Sequence, residues 1–289
     1  MPRSITPAPR AGQVARPLGP GRMPLFRGLR PLKRWRYVGF FSDELSGCAA
    51  LVQIGPARQS FWALKLAGEQ ALRERTRMLP RSREMSLSGS QGTQFPGECR
   101  LLIRDRGVVL ELEIEEGEAI EALCPHGRHS VWTRKQAGVC ARGTLALDGG
   151  PPSPVRALAV IDDTAGHHAR ETEWRWSAGI GEGLGGEQLA WNLVSGVNDP
   201  PSGSERAVWV NGVPREVPPV AFAADLSSIR CSDGSELRFA AQAERNRHEK
   251  LLILSSDYRA PFGSFEGTLP GGVTLARGRG VMEHHRARW

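Results

Sequence analysis

The chain lacks any long apolar segment. No window of its 289 residues approaches the roughly 18 uninterrupted apolar residues that a membrane-spanning helix needs. The first residues are basic, but they contain no apolar stretch of the kind that a secretory signal has. We therefore expect a cytoplasmic protein without a transmembrane segment.

Paired cysteines are also missing. The five cysteines are an odd number, and no two of them form a C-x-x-C pair, so we expect reduced and mostly buried thiols. Residues 124–129 (CPHGRH) offer three side chains that can bind metal, but without a fourth ligand a polar loop is the expected structure. We predict no cofactor and assign no metal ligand, and metal binding by the two histidine pairs at residues 167–168 and 284–285 stays open.

The common motifs of hydrolases and nucleotide-binding proteins are absent. The sequence contains no P-loop, no G-x-S-x-G elbow and no H-E-x-x-H pattern. Residues 181–186 (GEGLGG) match G-x-G-x-x-G, but that fingerprint requires a helix after the third glycine. Residues 187–194 alternate as a strand does, so a hairpin loop is predicted instead.

Acidic residues do not occur before Asp43. Residues 1–36 carry nine of the 38 basic residues, which leaves 29 basic against 31 acidic residues, a net charge near −2 for the rest of the chain. Residues 1–24, rich in Pro, Gly and Arg, are predicted to form a disordered arm. Such arms can contact RNA, DNA or anionic lipid, although most are solvated. We expect no nucleic acid to bind through the folded body, because no ribonucleoprotein signature or helix-turn-helix pattern is present.

Short alternating patterns are what the chain does contain. Residues 108–115 (VVLELEIE) place aliphatic side chains on one face and glutamates on the other, which is typical of a half-buried antiparallel strand. Residues 69–79 could form a short helix on propensity alone, and an extended structure fits them equally. The dipeptide Asn211-Gly212 predicts a two-residue type I′ hairpin turn. Further strands are predicted at residues 34–41, 60–66, 143–147, 155–161, 173–177, 188–194, 205–210, 213–217, 236–243 and 250–255.

This run of hairpins predicts an all-β protein. We expect two packed antiparallel β halves, either lipocalin-like or calycin-like barrels or a sandwich. The Gly-Gly-Pro-Pro run at residues 149–152 breaks the pattern, so the predicted halves are residues 25–150 and 151–289. The oligomeric state stays open.

Polar and aromatic side chains concentrate in three segments of the second half. An imidazole titrates near neutral pH, and a neighbouring carboxylate tunes it. Adjacent histidines of a strand point to opposite faces, so one ring of each pair is expected to face inward. The alternative is that buried polar groups pair with each other and tie strands together. The candidate catalytic residues are Asp162, Asp163, Glu173, Glu283, His284 and His285. The candidate ligand-binding residues are His167, His168, Arg170, Trp174, Trp176, Trp191, Asn192, Asn198, Asp199 and Trp289.

Several segments resemble a bacterial family known as domain of unknown function 2804. They are residues 162–170 (DDTAGHHAR), 174–179 (WRWSAG), 191–199 (WNLVSGVND), 261–263 (PFG) and 280–289 (GVMEHHRARW). The resemblance covers nearly the whole chain after the arm and implies no established activity. The family in turn is similar to calycin-like proteins that include the hydroxyneurosporene hydratase and tocopherol cyclase groups, whose paired lipocalin-like halves hold isoprenoids. No catalytic residue is carried over.

Three functions fit these observations. The first is binding of a small apolar ligand, lipid or isoprenoid-like, in a barrel interior or cleft with few polar anchors. The second is an acid-base enzyme, such as a hydratase, isomerase or cyclase, acting on such a ligand. The third is a carbohydrate-binding sandwich that uses Trp176, Trp191 or Trp209 and requires exposed rings. We expect the first, with the histidine-bearing segments 162–170 and 280–289 meeting in one cavity.

Overall fold

The computed structural model describes residues 23–88, 98–251 and 254–288. The predicted arm at residues 1–24 lies outside the described residues except for its last two positions, and Trp289 lies outside them too. The described segments form β-strands and turns, which confirms the all-β class. None of these segments is a long apolar helix that could cross a bilayer.

The strands of the described residues are numbered in chain order. The first eleven are β1 (Phe26–Arg27), β2 (Arg30–Pro31), β3 (Lys33–Phe41), β4 (Leu45–Ile54), β5 (Ala57–Leu66), β6 (Arg73–Arg77), β7 (Met85–Leu87), β8 (Glu98–Asp105), β9 (Val108–Glu115), β10 (Ile120–His126) and β11 (His129–Leu147). The others are β12 (Ser153–Gly166), β13 (Glu171–Gly183), β14 (Gln188–Ser195), β15 (Ala207–Val210), β16 (Val213–Glu216), β17 (Val220–Phe222), β18 (Ser228–Cys231), β19 (Glu236–Leu251), β20 (Leu254–Leu269) and β21 (Val273–Arg288).

Two large antiparallel sheets make the two predicted halves. The first half has the strand order β6-β5-β4-β3-β12-β11-β9-β8-β7, with β10 also paired to β11. The second half has the order β16-β15-β14-β13-β21-β20-β19-β18-β17, and β1 and β2 form a separate hairpin. Strand β12 follows the predicted boundary at residue 150 but is hydrogen-bonded inside the first sheet. The chain therefore passes from one sheet to the other after Gly166.

Local sequence explains the connections. Asn211 and Gly212 have φ angles of 50° and 81°, so the predicted two-residue turn with two positive φ values is confirmed. The GEGLGG segment forms the end of β13 and most of the hairpin loop that leads to β14, and β14 is a strand as predicted. Residues 69–79 take the extended alternative, since β6 covers residues 73–77.

Three apolar clusters hold the fold together. One fills the first half, and its largest members include Phe40, Trp62, Leu101, Leu110 and Ile161. A second fills the other half, with Trp191, Leu193, Phe265, Leu269 and Met282. The third joins residues of both halves, among them Tyr37, Phe41, Trp176, Trp209 and Phe262. Each sheet therefore buries one face in its own half and the other face against its neighbour.

Polar contacts fix the two halves against each other. Trp209 Nε1 donates to Glu118 O at 3.0 Å, and Gln188 Nε2 donates to Gly138 O at 2.7 Å. These bonds run between the second half and the first, and they lie beside the shared apolar cluster. These contacts hold the two halves in one relative position, so a cavity between them has walls of defined shape.

Candidate functional site

A cavity of about 300 Å³ lies between the two halves. It is called the cleft below. Its walls come from β3, β4 and β5 on one side and from β13, β20 and β21 on the other. Apolar cores fill the interiors of the two halves. Of the two predicted places for an apolar ligand, a barrel interior or a cleft, the structure therefore offers the cleft. The apolar lining residues are Trp35, Tyr37, Ala50, Val52, Ile54, Ala57, Phe61, Met78, Trp174, Trp176, Val194, Val197 and Tyr258.

Strand alternation decides which side chains reach the cleft. On β3 the odd positions Lys33, Trp35 and Tyr37 line it, whereas Arg36 points into the first half. On β12 the same rule separates two neighbouring carboxylates. Asp162 lines the cleft and accepts a hydrogen bond from Trp35 Nε1 at 3.0 Å, and Asp163 pairs with Arg36 on the opposite face.

The first polar group of the cleft is centred on a buried lysine. Lys135 forms an ion pair with Asp162, and its Nζ lies 3.5 Å from Glu205 Oε1. Burial opposes the charge on Lys135, but Asp162 and Glu205 outweigh it and raise the pKa of the lysine. Burial also raises the pKa of Glu205, and the attraction of Lys135 opposes that shift.

An asparagine completes this group. Asn198 Nδ2 donates to Glu205 Oε2 at 3.1 Å, while no donor among the described residues reaches the buried Oδ1 atom. A buried acceptor without a partner costs free energy, commonly about 1–3 kcal/mol. Asn198 lines the cleft, although its Oδ1 atom itself is buried.

The second polar group contains a carboxyl group in mostly apolar surroundings. Glu283 Oε1 accepts a hydrogen bond from Trp174 Nε1 at 2.8 Å, and Tyr258 is a further hydrogen-bond partner. Burial raises the pKa of Glu283 to about 7, and the charge of Asp162 adds to this shift. Glu283 can therefore gain or lose a proton near neutral pH.

A neutral imidazole stands next to Glu283 in space. His285 lies against the Trp174 ring, with the ring centroids 4.3 Å apart, and its Nε2 is hydrogen-bonded to Ser256 Oγ at 2.8 Å. Burial lowers the pKa of His285 to about 3. Its ring stays uncharged at neutral pH and can serve only as a neutral donor or acceptor.

The neighbouring histidine points the other way, as predicted for adjacent strand residues. His284 is outside the cleft and pairs through Nε2 with Glu173 Oε1 at 2.9 Å. That hydrogen bond lowers the pKa of Glu173. Both residues are candidate catalytic groups, and the structure places both away from the cleft, as a partly exposed pair on the opposite face of the second sheet.

The pair formed by His167 and His168 is also divided. His168 lines the cleft, and burial lowers its pKa well below the usual value. His167 does not line it, and its Nε2 lies 3.0 Å from Pro24 O. The described part of the chain contains no cluster of three or more side chains that could hold a metal ion.

Asp163 belongs to a buried ion network inside the first half. Arg36 contacts Asp163 at 3.0 Å and Glu116 at 2.6 Å, and Arg134 contacts Glu116 at 2.9 Å. Burial opposes the charge of Glu116, but hydrogen bonds from Arg134 and Arg36 outweigh it and lower the pKa. Burial raises the pKa of Asp163 to about 7 against the attraction of Arg36. The network ties β3, β11 and β12 together and does not line the cleft.

Other candidate ligand-binding residues support the site without lining it. Asn192 Oδ1 accepts from Trp176 Nε1 at 2.8 Å and so orients that ring. Asp199 accepts from the backbone of Gly196 in a turn, and Trp191 donates to Ser177 within the second core. Arg170 is exposed. The candidate residues that do line the cleft are Asp162, His168, Trp174, Trp176, Asn198, Glu283 and His285.

The requirement of the carbohydrate hypothesis is not met. Trp176, Trp191 and Trp209 are 5%, 0% and 1% exposed. Buried rings cannot form an open stacking platform, so these three tryptophans are core and cleft residues.

Sequence reasoning missed most of the wall that the first half contributes. Trp35, Tyr37 and Phe61 carry no motif, and the only available signal was the alternation of bulky residues at odd positions of β3. It also missed Arg245, whose guanidinium lies 4.3 Å from the Phe61 ring centroid and 5.1 Å from that of Tyr258. Arg245 is held by Glu74 and Thr76, at 3.1 Å and 2.8 Å, across the two halves.

Comparison with known proteins agrees with the fold. The profile of the family described as Domain of unknown function (DUF2804) matches residues 98–289, which confirms the resemblance seen in the sequence. A structure from Nitrosomonas europaea, provisionally assigned as AttH, has a TM-score of 0.56 at 13% identity over 89% of this chain and 92% of the other. Kievitone hydratase from Nectria haematococca has a TM-score of 0.54 at 12% identity over 92% and 94%. Both likenesses show the fold alone. No curated protein matches the chain.

Proposed function

We propose that this chain, which belongs to the domain of unknown function 2804 family, binds a small apolar ligand in the cleft between its two halves. The observation that carries the proposal is a volume of about 300 Å³ walled mainly by aromatic and aliphatic side chains. Small-molecule sites have this character, with an apolar body and a few placed polar groups. A lipid or isoprenoid-like compound fits such walls.

The polar groups indicate what the ligand carries besides its apolar body. Glu283 offers a carboxyl whose pKa is raised to about 7 by burial, and Asp162 offers a carboxyl that is ion-paired with Lys135. Both are fixed by hydrogen bonds from cleft tryptophans. A ligand with one or two hydroxyl or carbonyl groups could contact them, whereas a fully saturated hydrocarbon would make no polar contact with either.

Two measurements test binding. Mass spectrometry of small molecules that co-purify with the native protein should find an apolar compound, and a fluorescent apolar probe should enter the cleft of ligand-free protein. Val52→Trp places a large side chain in the cleft and should weaken probe binding by at least about tenfold, a loss of roughly 1.4 kcal/mol. Val109→Trp, on the exposed side of β9, is the matched control. Equal probe affinity in the two variants would refute the cleft as the site.

A second candidate function is acid-base catalysis on the bound ligand. Glu283 of the second half and Asp162 of the first half both line the cleft, and the pKa of Glu283 near 7 suits a proton donor. Asp162, ion-paired with Lys135, is a fitting proton acceptor. Kievitone hydratase, named for a hydration reaction, shares the fold and gives this candidate further support.

Proton transfer can be measured separately from binding. When the ligand found by mass spectrometry is incubated with the protein in heavy water, deuterium should enter carbon positions or a hydrated product should appear. Glu283→Gln should abolish the deuterium incorporation or hydration. Glu173→Gln, in the partly exposed pair with His284, should not. If the wild-type protein leaves the ligand unaltered, the enzyme hypothesis fails and the binding proposal stands.

A further inference from the structure

The hairpin formed by β1 and β2 exposes three large apolar side chains. Leu25 is 46% exposed, Phe26 is 52% exposed, and Leu29 in the two-residue turn is 100% exposed. A single exposed leucine is ordinary on a protein surface, but three within five residues form a patch. The contact of Phe26 with Gly55 and the bond from Leu32 N to Leu25 O, at 2.8 Å, hold this hairpin in place.

Arginines surround the patch. Arg27 lies in the hairpin, and Arg30 NH1 donates to His126 O at 3.1 Å, which joins the hairpin to the turn that carries exposed Arg128. Arg58 is exposed and follows the turn at Gly55, which contacts Phe26. Arg170 is exposed as well and follows Ala169, whose backbone N donates to His126 Nδ1. The hairpin itself carries no acidic residue, since the sequence has none before Asp43.

The patch lies beside the cleft. Gly55 N donates to Leu32 O at 2.7 Å, and Ile54 and Ala57 on either side of this turn line the cleft. Lys33, which directly follows the hairpin, lines it as well. Any surface that contacts the hairpin therefore approaches one rim of the cleft.

We propose that the β1–β2 hairpin docks the protein on an anionic lipid bilayer. Apolar side chains that enter the interface, combined with arginines that meet lipid phosphates, are the two components of reversible membrane binding. The arginines alone would also suit a nucleic acid, but three exposed apolar side chains beside them favour the interface of a bilayer, where apolar surface leaves water. The docking goes beyond ligand binding, and it would let an apolar ligand pass between bilayer and cleft without crossing water.

Sedimentation of the full chain with lipid vesicles tests the docking. The protein should bind vesicles of phosphatidylcholine with about a third phosphatidylglycerol and bind pure phosphatidylcholine much more weakly. Binding should fall steeply in 1 M salt, where the Debye length is about 3 Å. The double variant Arg27→Glu and Arg128→Glu should reduce affinity by at least about 25-fold, since each arginine near an anionic surface contributes roughly fivefold.

Leu29 provides the sharpest variant, because its full exposure makes an effect on folding small. Leu29→Asp should weaken vesicle binding by at least about tenfold. Leu184→Asp is the matched control, since Leu184 is 75% exposed in the loop between β13 and β14, and it should bind like wild type. Light scattering of wild type and Leu29→Asp shows whether the patch instead pairs two copies of the chain.

Any of the following results overturns the proposal that the hairpin docks on a bilayer. Absence of wild-type binding to anionic vesicles, or equal loss in the two leucine variants, removes the hairpin as a membrane contact. A dimer that Leu29→Asp dissociates assigns the patch to self-association, and RNA binding that ignores Leu29 assigns the arginines to nucleic acid. Apolar-probe affinity should be unchanged in Leu29→Asp, so a failure of docking is distinguishable from a failure of ligand binding.

Discussion

The two faces of β12 carry buried polar clusters of different kinds. On the inner face of the first half, Asp163, Glu116, Arg36 and Arg134 form contacts of 3.3 Å or less with opposite charges, and none of the four lines the cleft. On the cleft face, Asp162 shares Lys135 with Glu205, a carboxyl whose pKa is raised by burial.

Across the cleft, Glu283 has hydrogen-bond partners but no cation within ion-pair distance among the described residues. The inner cluster ties strands together through ion pairs, since buried charges must find partners, although Arg36 Nε has no hydrogen-bond partner among the described residues. Carboxyl groups beside an open volume can in addition contact a ligand. The neighbouring carboxylates of β12 therefore differ in role. Asp163 pairs with Arg36 inside the first half, whereas Asp162 lines the cleft.

The largest expected effect is on the inner cluster. Arg36→Met leaves Asp163 buried without its cation and should lower the free energy of unfolding by about 3–5 kcal/mol. Arg142→Met, at a mostly exposed arginine of β11, should change it by less than about 0.5 kcal/mol. Urea unfolding followed by tryptophan fluorescence measures both. A loss below about 1 kcal/mol in the first variant would show that the network does not stabilise the half.

The next effect separates the cleft from that network. Glu283 has a folded-state pKa raised from 4.5 to about 7, so folding stability declines as pH rises through this window. Glu283→Gln cannot ionise, and relative to wild type it should gain about 3 kcal/mol of stability between pH 4.5 and pH 8. Urea midpoints at the two pH values give the difference. Glu173→Gln should show no such gain, because the pKa of Glu173 is lowered in the fold.

His285 should produce a pH effect of opposite sign. Its folded-state pKa is depressed from 6.5 to about 3, so its contribution is complete above pH 6.5 and is lost as pH falls. Between pH 7 and pH 5 the wild type should lose about 2 kcal/mol relative to His285→Gln. Parallel pH profiles of the two proteins would mean that water reaches the ring. NMR titration supplies an independent check, since the His285 ring signals should not shift in this range.

The smallest effect on the free energy of unfolding is expected at the exposed pair of His284 and Glu173. The pair of His284 and Glu173 is largely exposed, so His284→Gln should change the free energy of unfolding by less than about 0.5 kcal/mol. The same measurement on His285→Gln at pH 7 should give a larger loss, because that ring packs against Trp174 and Tyr258. Equal losses would contradict the division of the two histidines between a buried and an exposed face.

Much of the fold could be predicted because strand patterns are local. The alternation in residues 108–115 and the Asn211-Gly212 turn are each visible within eight residues, and both agree with the structure. The opposite orientation of His284 and His285 follows from strand geometry alone.

The cleft could be predicted only in part, because it depends on how two curled sheets meet. Both faces of β3 are largely buried, so polarity does not distinguish the side of Tyr37 from the side of Arg36. Motif density directed attention to the second half, although Trp35, Phe61 and Lys135 of the first half form much of the wall. The separation of Asp162 from Asp163 required the pairing partners on β11 and β3, which are about 30 and about 130 positions away respectively.

The position of the cleft between the halves has a thermodynamic consequence. A molecule that contacts both β12 and β21 loses its binding site when the two sheets separate. Its binding free energy then opposes separation of the halves as well as their unfolding, and the stabilisation grows with the logarithm of ligand concentration. Heat denaturation of freshly purified protein, before and after delipidation, would thus report occupancy without any knowledge of the compound.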